Sequence, residues 1–421
     1  MKWLKKPTVT AGESFQSQKE IKEVVQNILQ QVKEGGDRAI LELTEKYDQV
    51  RLDHIQINHM EVKAAYDKVD RQTIDAVEKA ADNIRSFAIQ QLATIRPLEF
   101  EKIPGVKLGH KLIPLNSVGC YVPAGRYPLP SSALMSAIPA KVAGVKRVMA
   151  CAPPSRGFNT IHPLVLIAMD IAGVDELYCM GGAQAIAAYK FGTKTINPSD
   201  MIVGPGNKYV VEAKRQLCGE IGIDLLAGPS EVLIIADHKA DIMMTAMDLL
   251  AKCEHDPDAI SILVSTNEDF AARVIETLER EMANLKTRAV AAESWEKHGE
   301  VIIVDSYEEA VCVANDKAPE HLQLLTEENE KLIEDLVNYG SLFIGEYSPV
   351  AFGDYCSGTN HTLPTSQCAR FSNGLWVGSF IRVASYQKIS REGAKVLAEI
   401  CSAMAEKEGL FAHKTSSDLR K

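Results

Sequence analysis

The feature that most constrains the fold is an alternation. Between Ser117 and Asp237, apolar runs of strand length trade places with stretches of helical periodicity. Candidate strands cover 118–122, 147–152, 176–179, 201–203 and 232–236, and the helices between them cover 131–143, 161–172, 183–191 and 207–217. Strands joined through helices pair in parallel with right-handed crossovers, and such sheets bind ligands beyond the carboxyl ends of their strands. A second alternation follows, with helices at 240–255, 268–285, 307–316 and 327–338 and strands at 260–265, 301–304 and 341–344. The expected fold is α/β, with two partly wound domains and helical segments at both ends of the chain.

At 421 residues the chain exceeds one ordinary core, so two or three domains are expected. Helical spacing runs through Ile21, Val24, Val25, Ile28, Leu29 and Val32 until Gly35-Gly36 stops it, and resumes at 39–47. A short strand at 54–57 and a long helix at 72–93 come next, before Pro97, Pro104 and Pro114 break the chain ahead of a boundary near Asn116. The expected division is an arm at 1–20, a discontinuous α/β domain of 21–116 and 237–375, a Rossmann-like domain at 117–236, and a tail at 376–421 that is helical from 386 to 405.

Composition narrows the function classes. A formal charge of -10 opposes a general nucleic-acid surface, which needs clustered Lys and Arg. No apolar run approaches the roughly 18 residues of a membrane span. The start, Met1-Lys2-Trp3-Leu4-Lys5-Lys6-Pro7, lacks the apolar core of a secretory signal. Nine scattered cysteines without a Cys-x-x-Cys pair fit free thiols in a reducing cytoplasm.

The glycines fall where strands hand over to helices. Pro123-Ala124-Gly125, Gly181-Gly182-Ala183-Gln184 and Gly204-Pro205-Gly206-Asn207 each open a helix and leave backbone N–H groups for an anion such as a nucleotide phosphate. None is a Gly-x-Gly-x-x-Gly fingerprint, and tight turns of any parallel sheet also favour glycine. Near the other end, the stretch from Gly353 to Thr365 sets Asp354 and His361 between glycines and a proline. A carboxylate and an imidazole suit a divalent ion, while a surface turn with an incidental histidine uses the same residues. Lys252 and His255, three apart near a helix end, share one face; His255 is a third donor or a cation favoured by the helix dipole. Ala318-Pro319-Glu320-His321-Leu322 sets an acid beside an imidazole after a helix, a pairing suited to proton transfer and water activation.

These motifs occur in one order. Tyr121-Val122-Pro123-Ala124-Gly125, Gly181-Gly182-Ala183-Gln184-Ala185, Gly204-Pro205-Gly206-Asn207, Ala227-Gly228-Pro229-Ser230-Glu231-Val232, Glu254-His255-Asp256-Pro257-Asp258, Ala318-Pro319-Glu320-His321-Leu322 and Glu408-Gly409-Leu410-Phe411-Ala412-His413 resemble the pattern of histidinol dehydrogenases over nearly the whole chain. The resemblance implies two incomplete Rossmann-like domains, and a homodimer in which the C-terminal tail reaches the partner's site. It implies NAD near Tyr121, Gln184 and Asn207, and zinc or another divalent metal on His255, Asp354 and His413. It implies a small alcohol at Ser230, Lys252, His255, His321, Asp354, His361, Glu408 and His413, oxidised twice by way of an aldehyde with Glu320 and His321 as the catalytic pair.

Two departures stand out. Family members that make histidine carry glutamine as a metal ligand where this chain has Lys252, and an ammonium cannot coordinate a metal. The stretch Gly374-Leu375-Trp376-Val377-Gly378-Ser379-Phe380 resembles relatives that oxidise other alcohols, sulfonated polyols included. The substrate is thus histidinol or an anionic alcohol. The alternative from another class is a catalytically silent ligand-binding paralogue, which would have no need of the Glu320–His321 pair.

Overall fold

A computed structural model describes residues 1–8, 15–124, 127–155 and 157–421. It contains the two parallel-rich sheets expected from the alternations. The first has the order Gln56–Ile57, Glu176–Cys179, Arg147–Ala152, Ser117–Tyr121, Met201–Val203, Gly222–Ile223, and only Gln56–Ile57 pairs antiparallel. Its central strand Ser117–Tyr121 is buried at every position, which is why it reads as a continuous apolar run. The second sheet runs Lys2–Lys5, Glu300–Ile303, Ile260–Ser265, Glu231–Ala236, His321–Leu325, Ser341–Ile344, with Lys2–Lys5 alone antiparallel.

Several boundaries move. The strand Glu231–Ala236, expected to close the first domain, lies in the middle of the second sheet, between Ile260–Ser265 and His321–Leu325. An apolar run buried on both faces satisfies either sheet, so composition cannot choose. Residues 21–116 were expected with the second sheet; instead 21–94 cover the first, and 98–114 enter a third. Phe15–Asp48, broken at Gly36 (φ 55), packs with the helices Gly182–Phe191 and Lys208–Leu217 on one face. His59–Tyr66 and Arg71–Thr94 pack with Pro130–Val142 and Pro163–Ile171 on the other. The arm is no free segment either, since Lys2–Lys5 is an edge strand whose Trp3 and Leu4 reach the two cores of the second sheet.

The 327–338 helix shrinks to Asn329–Ile333. The tail expected to be helical from residue 386 begins as the strand Ile381–Ile389, which joins Leu98–Ile103 and Val106–Pro114 in a third, antiparallel sheet before the helices Arg391–Lys407 and Phe411–Asp418. The 374–380 stretch sends Leu375, Val377 and Phe380 into the core of the first sheet. No helix among the described residues is long and apolar enough to cross a membrane.

Candidate active site

The helix Tyr307–Lys317 ends on Ala318 in a left-handed conformation (φ 45), rare for a residue with a side chain. Pro319 then prevents the helix from resuming. The chain turns directly into the strand His321–Leu325, whose first residue pairs with Val232 and Ser341. At Gly340 a Cβ would lie 2.5 Å from the Glu320 carbonyl oxygen, so glycine is needed for the neighbouring chain to approach. Glu320 and His321 therefore sit at the amino edge of the second sheet, not at the carboxyl edge where ligand sites of such sheets are expected.

Glu320 is held by neighbours on that same edge. Its Oε2 accepts from Ser230 Oγ at 2.7 Å and from Glu231 N at 2.7 Å. Among the described residues no hydrogen bond reaches Oε1. His321 Nδ1 meets the Glu231 carbonyl oxygen at 2.9 Å, which fixes that nitrogen as the donor and leaves Nε2 3.2 Å from Asp354 Oδ1. This last approach has ion-pair distance but not hydrogen-bond alignment. Asp354 lies in the helix Val350–Tyr355, and its other oxygen, Oδ2, faces Lys252 Nζ at 3.5 Å and His255 Nε2 at 3.9 Å. Lys252 is in the last turn of the helix Ile242–Cys253, which runs back from the carboxyl edge and so delivers it to the amino edge. Its ammonium donates to Ser230 Oγ at 3.0 Å, closing a ring of contacts through Glu320, His321 and Asp354.

The charges in this ring are strongly coupled. Burial opposes ionisation of Asp354, but the Lys252 ammonium and His321 outweigh it and hold its carboxyl well below the usual range. Glu320 is also lowered: burial pushes it up, and His321, Lys252 and the Ser230 hydroxyl more than offset this. For His321, burial and the Lys252 cation act against protonation, yet the Glu320 and Asp354 carboxylates prevail and push it up to about 9. His255 moves the other way, to about 4, through burial and the Lys252 ammonium; with 39% of its side chain exposed, the cation is the firmer cause. Burial raises the neighbouring Glu231 to about 7, although the Ser366 N–H bonds its Oε1 at 2.8 Å.

The loop after Asp354 ties the two sheets together. His361 Nδ1 donates to the Asp354 carbonyl oxygen at 2.8 Å, and its Nε2 lies 3.4 Å from Ser132 Oγ, at the start of Pro130–Val142. Asn360 Nδ2 donates to the Met135 carbonyl oxygen at 2.7 Å. That helix starts at the carboxyl edge of the first sheet, so this edge faces the amino edge of the second. Asp354 is 8% exposed, which removes the surface-turn reading.

The glycine turns line the opposing edge. Tyr121 Oη accepts from Gly182 N at 3.1 Å, and a Cβ at Gly204 (φ 110) would collide with the Tyr121 carbonyl oxygen. Gln184 is buried in the first turn of Gly182–Phe191, a helix with no side-chain cap; Tyr121 takes the Gly182 N–H, and the N–H groups that follow it are left for an anion. Asn207 caps the next helix by accepting from Tyr209 N and Val210 N. These features fit a nucleotide. Gly125 of the first turn lies outside the described residues.

Seven of the expected residues thus converge at the second sheet: Ser230, Lys252, His255, Glu320, His321, Asp354 and His361. Glu408, exposed in the turn after Arg391–Lys407, and His413, exposed in Phe411–Asp418, do not join them. Sequence reasoning missed Glu231 and Ser132. The first acts through its backbone carbonyl and the second is one serine among several in a helix start, so neither carries a compositional signal. The donors do not fit a metal within one chain, because only His255 and Asp354 approach each other and the Lys252 ammonium stands against the same carboxylate oxygen. Among the described residues no group of three or more His, Cys, Asp or Glu could hold an ion.

The family model for histidinol dehydrogenase matches residues 12–421. A histidinol dehydrogenase homolog of Shouchella clausii is 44% identical over 95% of this chain and 94% of its own length. The histidinol dehydrogenase of Methanothermobacter thermautotrophicus is 43% identical over 93% of this chain and 91% of its own. The crystal structure of histidinol dehydrogenase from Elizabethkingia anophelis superposes with a TM-score of 0.92 at 36% identity, covering 99% of this chain and 94% of that one. Sequence and fold agree, and the chain belongs to the histidinol dehydrogenase family, whose members are NAD-dependent oxidoreductases acting on an alcohol.

Proposed function

We propose that the protein oxidises a small polar primary alcohol through an aldehyde to a carboxylate, with Glu320 and His321 as the catalytic pair. The observation that carries the reading is the buried Glu320–His321 pair, set against Asp354 and Lys252 and facing the glycine turns of the first sheet. NAD, held at those turns by Tyr121, Gln184 and Asn207, supplies the hydride acceptor.

His321 Nε2 takes the hydroxyl proton as the first hydride departs, and the Nδ1–H···O=C bond to Glu231 keeps the ring oriented throughout. Glu320, anchored through Oε2, then takes a proton at Oε1 from a water that adds to the aldehyde. His321 returns its proton to the carbonyl oxygen as the water adds, so the resulting neutral diol gives up the second hydride with a hydroxyl proton to His321 again, and the acid formed loses its last proton. One water enters, and two hydrides and three protons leave for each carboxylate formed. Ser230, His255, Asp354 and His361 surround the alcohol within the chain, and Glu408 and His413 are proposed to come from a partner's tail.

L-Histidinol is the candidate that the relatives' names suggest. A second reading, an anionic alcohol such as a sulfonated diol, is favoured by Lys252, since a buried ammonium attracts an anionic group and repels the amine of histidinol. The test is a screen of small alcohols, histidinol and anionic diols included, by NADH formation, with two NADH expected for each alcohol consumed. His321→Ala should lower turnover by about 10²–10⁴, and Glu320→Gln should stall the reaction at the aldehyde. If both variants turn over like the parent, the catalytic assignment fails; if no alcohol yields NADH, the chain is a silent binding paralogue.

A further inference from the structure

We infer that Lys252 stands where a divalent ion would stand, and that its ammonium makes this site independent of a resident metal. The inference rests on the reading that the ring around Asp354 handles the substrate, and it starts from how Lys252 is placed. The side chain is only 3% exposed, and Nζ is held between Ser230 Oγ at 3.0 Å and Asp354 Oδ2 at 3.5 Å. Oδ2 is also the oxygen that faces His255 Nε2. The ammonium therefore takes the one carboxylate oxygen that an ion shared with His255 would need. An ion bound to Oδ2 at the roughly 2.0–2.2 Å of a zinc–oxygen bond would share that oxygen with a like charge in a site with little water to screen it. Either the lysine must leave, or the ion stays out.

Donor number points the same way. A catalytic zinc takes about three protein ligands and a water, and one chain offers Asp354 and His255. A further imidazole arriving on a partner's tail would complete that count only with an ammonium still inside the shell. The fold also favours a fixed cation here, because Lys252 sits in the last turn of Ile242–Cys253, where the helix dipole presents its negative end.

The ammonium can perform the part of a metal's work that needs only positive charge. It has three N–H donors; Ser230 Oγ accepts one, Asp354 Oδ2 lies at ion-pair distance, and a donor is left for a substrate oxygen. Such a charge-assisted bond orients a carboxylate, a sulfonate or the reacting hydroxyl beside His321.

The full-chain protein, purified and dialysed against a chelator, is expected to hold zinc and manganese well below one per chain and to keep its NADH-forming activity when the chelator stays in the assay. Zinc calorimetry should show weak binding to the parent and about 10- to 100-fold tighter binding to Lys252→Gln, a gain comparable to other changes around a metal site. Retention of one zinc or manganese per chain through dialysis would overturn the inference, as would loss of activity on chelation with recovery on adding metal. A folded Lys252→Gln that binds zinc no better than the parent would overturn it as well. Should that variant misfold, the metal content of the parent still decides. Neither metal measurement needs a substrate, so failure of the inference and failure of the alcohol-oxidation reading are told apart.

Discussion

His321 has one nitrogen committed to a backbone carbonyl, so whatever proton it moves must pass through Nε2. Glu320 and Asp354 raise its affinity for that proton to a pKa of about 9 against the opposing burial and Lys252 cation. The imidazolium is therefore the resting form at neutral pH, and the free base appears as pH rises toward that value. We expect kcat/KM to climb with pH along a limb well above the ordinary histidine range of about 6.5, and Asp354→Asn, which removes one raising carboxylate, to shift the limb downward. A limb at or below the ordinary value would mean that another group is the base. At this scale the sequence is informative about side chains and silent about backbone. Glu320-His321 can be singled out because acid and imidazole adjoin after a helix end. The Glu231 carbonyl that fixes the tautomer is an atom every residue carries, and no motif could announce it.

Among the elements, the turn after Met201–Val203 depends on a buried ion pair. The side chains of Lys214 and Asp224 are 3% and 1% exposed and meet at 2.7 Å. Lys214 also donates to the Gly204 carbonyl oxygen, while Asp224 Oδ2 accepts from Gly204 N at 2.7 Å, so one pair fixes both polar groups of the glycine that abuts Tyr121. Lys214→Ala would leave a buried carboxylate without its partner and should cost about 3–5 kcal/mol in denaturant unfolding. It should also weaken NAD binding by loosening the turn, and a cost below about 1 kcal/mol would show that water reaches the pair. Elements with apolar periodicity are legible, as with Arg147–Ala152 and Glu176–Cys179, which appear where expected. The third sheet is not: Leu98–Ile103 is exposed at nearly every position, so no buried face marks it, and three prolines nearby suggest a mere break. Glu231–Ala236 is legible as a strand but not as a member of the second sheet, because parallel pairing partners are chosen by tertiary packing.

For the whole molecule, the placement of Glu408 and His413 bears on assembly. Both are exposed, and neither contacts the ring around which every other expected substrate residue gathers. The helix Arg391–Lys407 that leads to them exposes Val396, Ile400 and Met404 at four-residue spacing, and Phe411 follows at 66% exposure. One apolar stripe of this kind on a helix face is suited to burial against another surface. A second copy of the chain, covering the stripe and receiving the tail at its own site as proposed above, would account for both features. Removing residues 386–421 should then abolish activity and leave a monomer by sedimentation. Mixing His413→Ala chains with His321→Ala chains is the sharper measurement, because each variant alone is expected to be inactive. In a heterodimer with exchanged tails, the His413→Ala chain contributes an intact Glu320–His321 pair and receives the unaltered tail of its partner, so one whole site forms. The other site carries both substitutions and stays silent. Activity should therefore return, to half that of the parent dimer. Without exchange, every site in the same heterodimer keeps one defect and nothing returns. Pairing the parent with a chain that carries both substitutions reverses the outcomes: exchange places one defect in each site, whereas sites built within one chain leave the parent's site untouched. Heterodimers isolated by two affinity tags that are silent in the first pairing and half-active in the second would exclude a shared site.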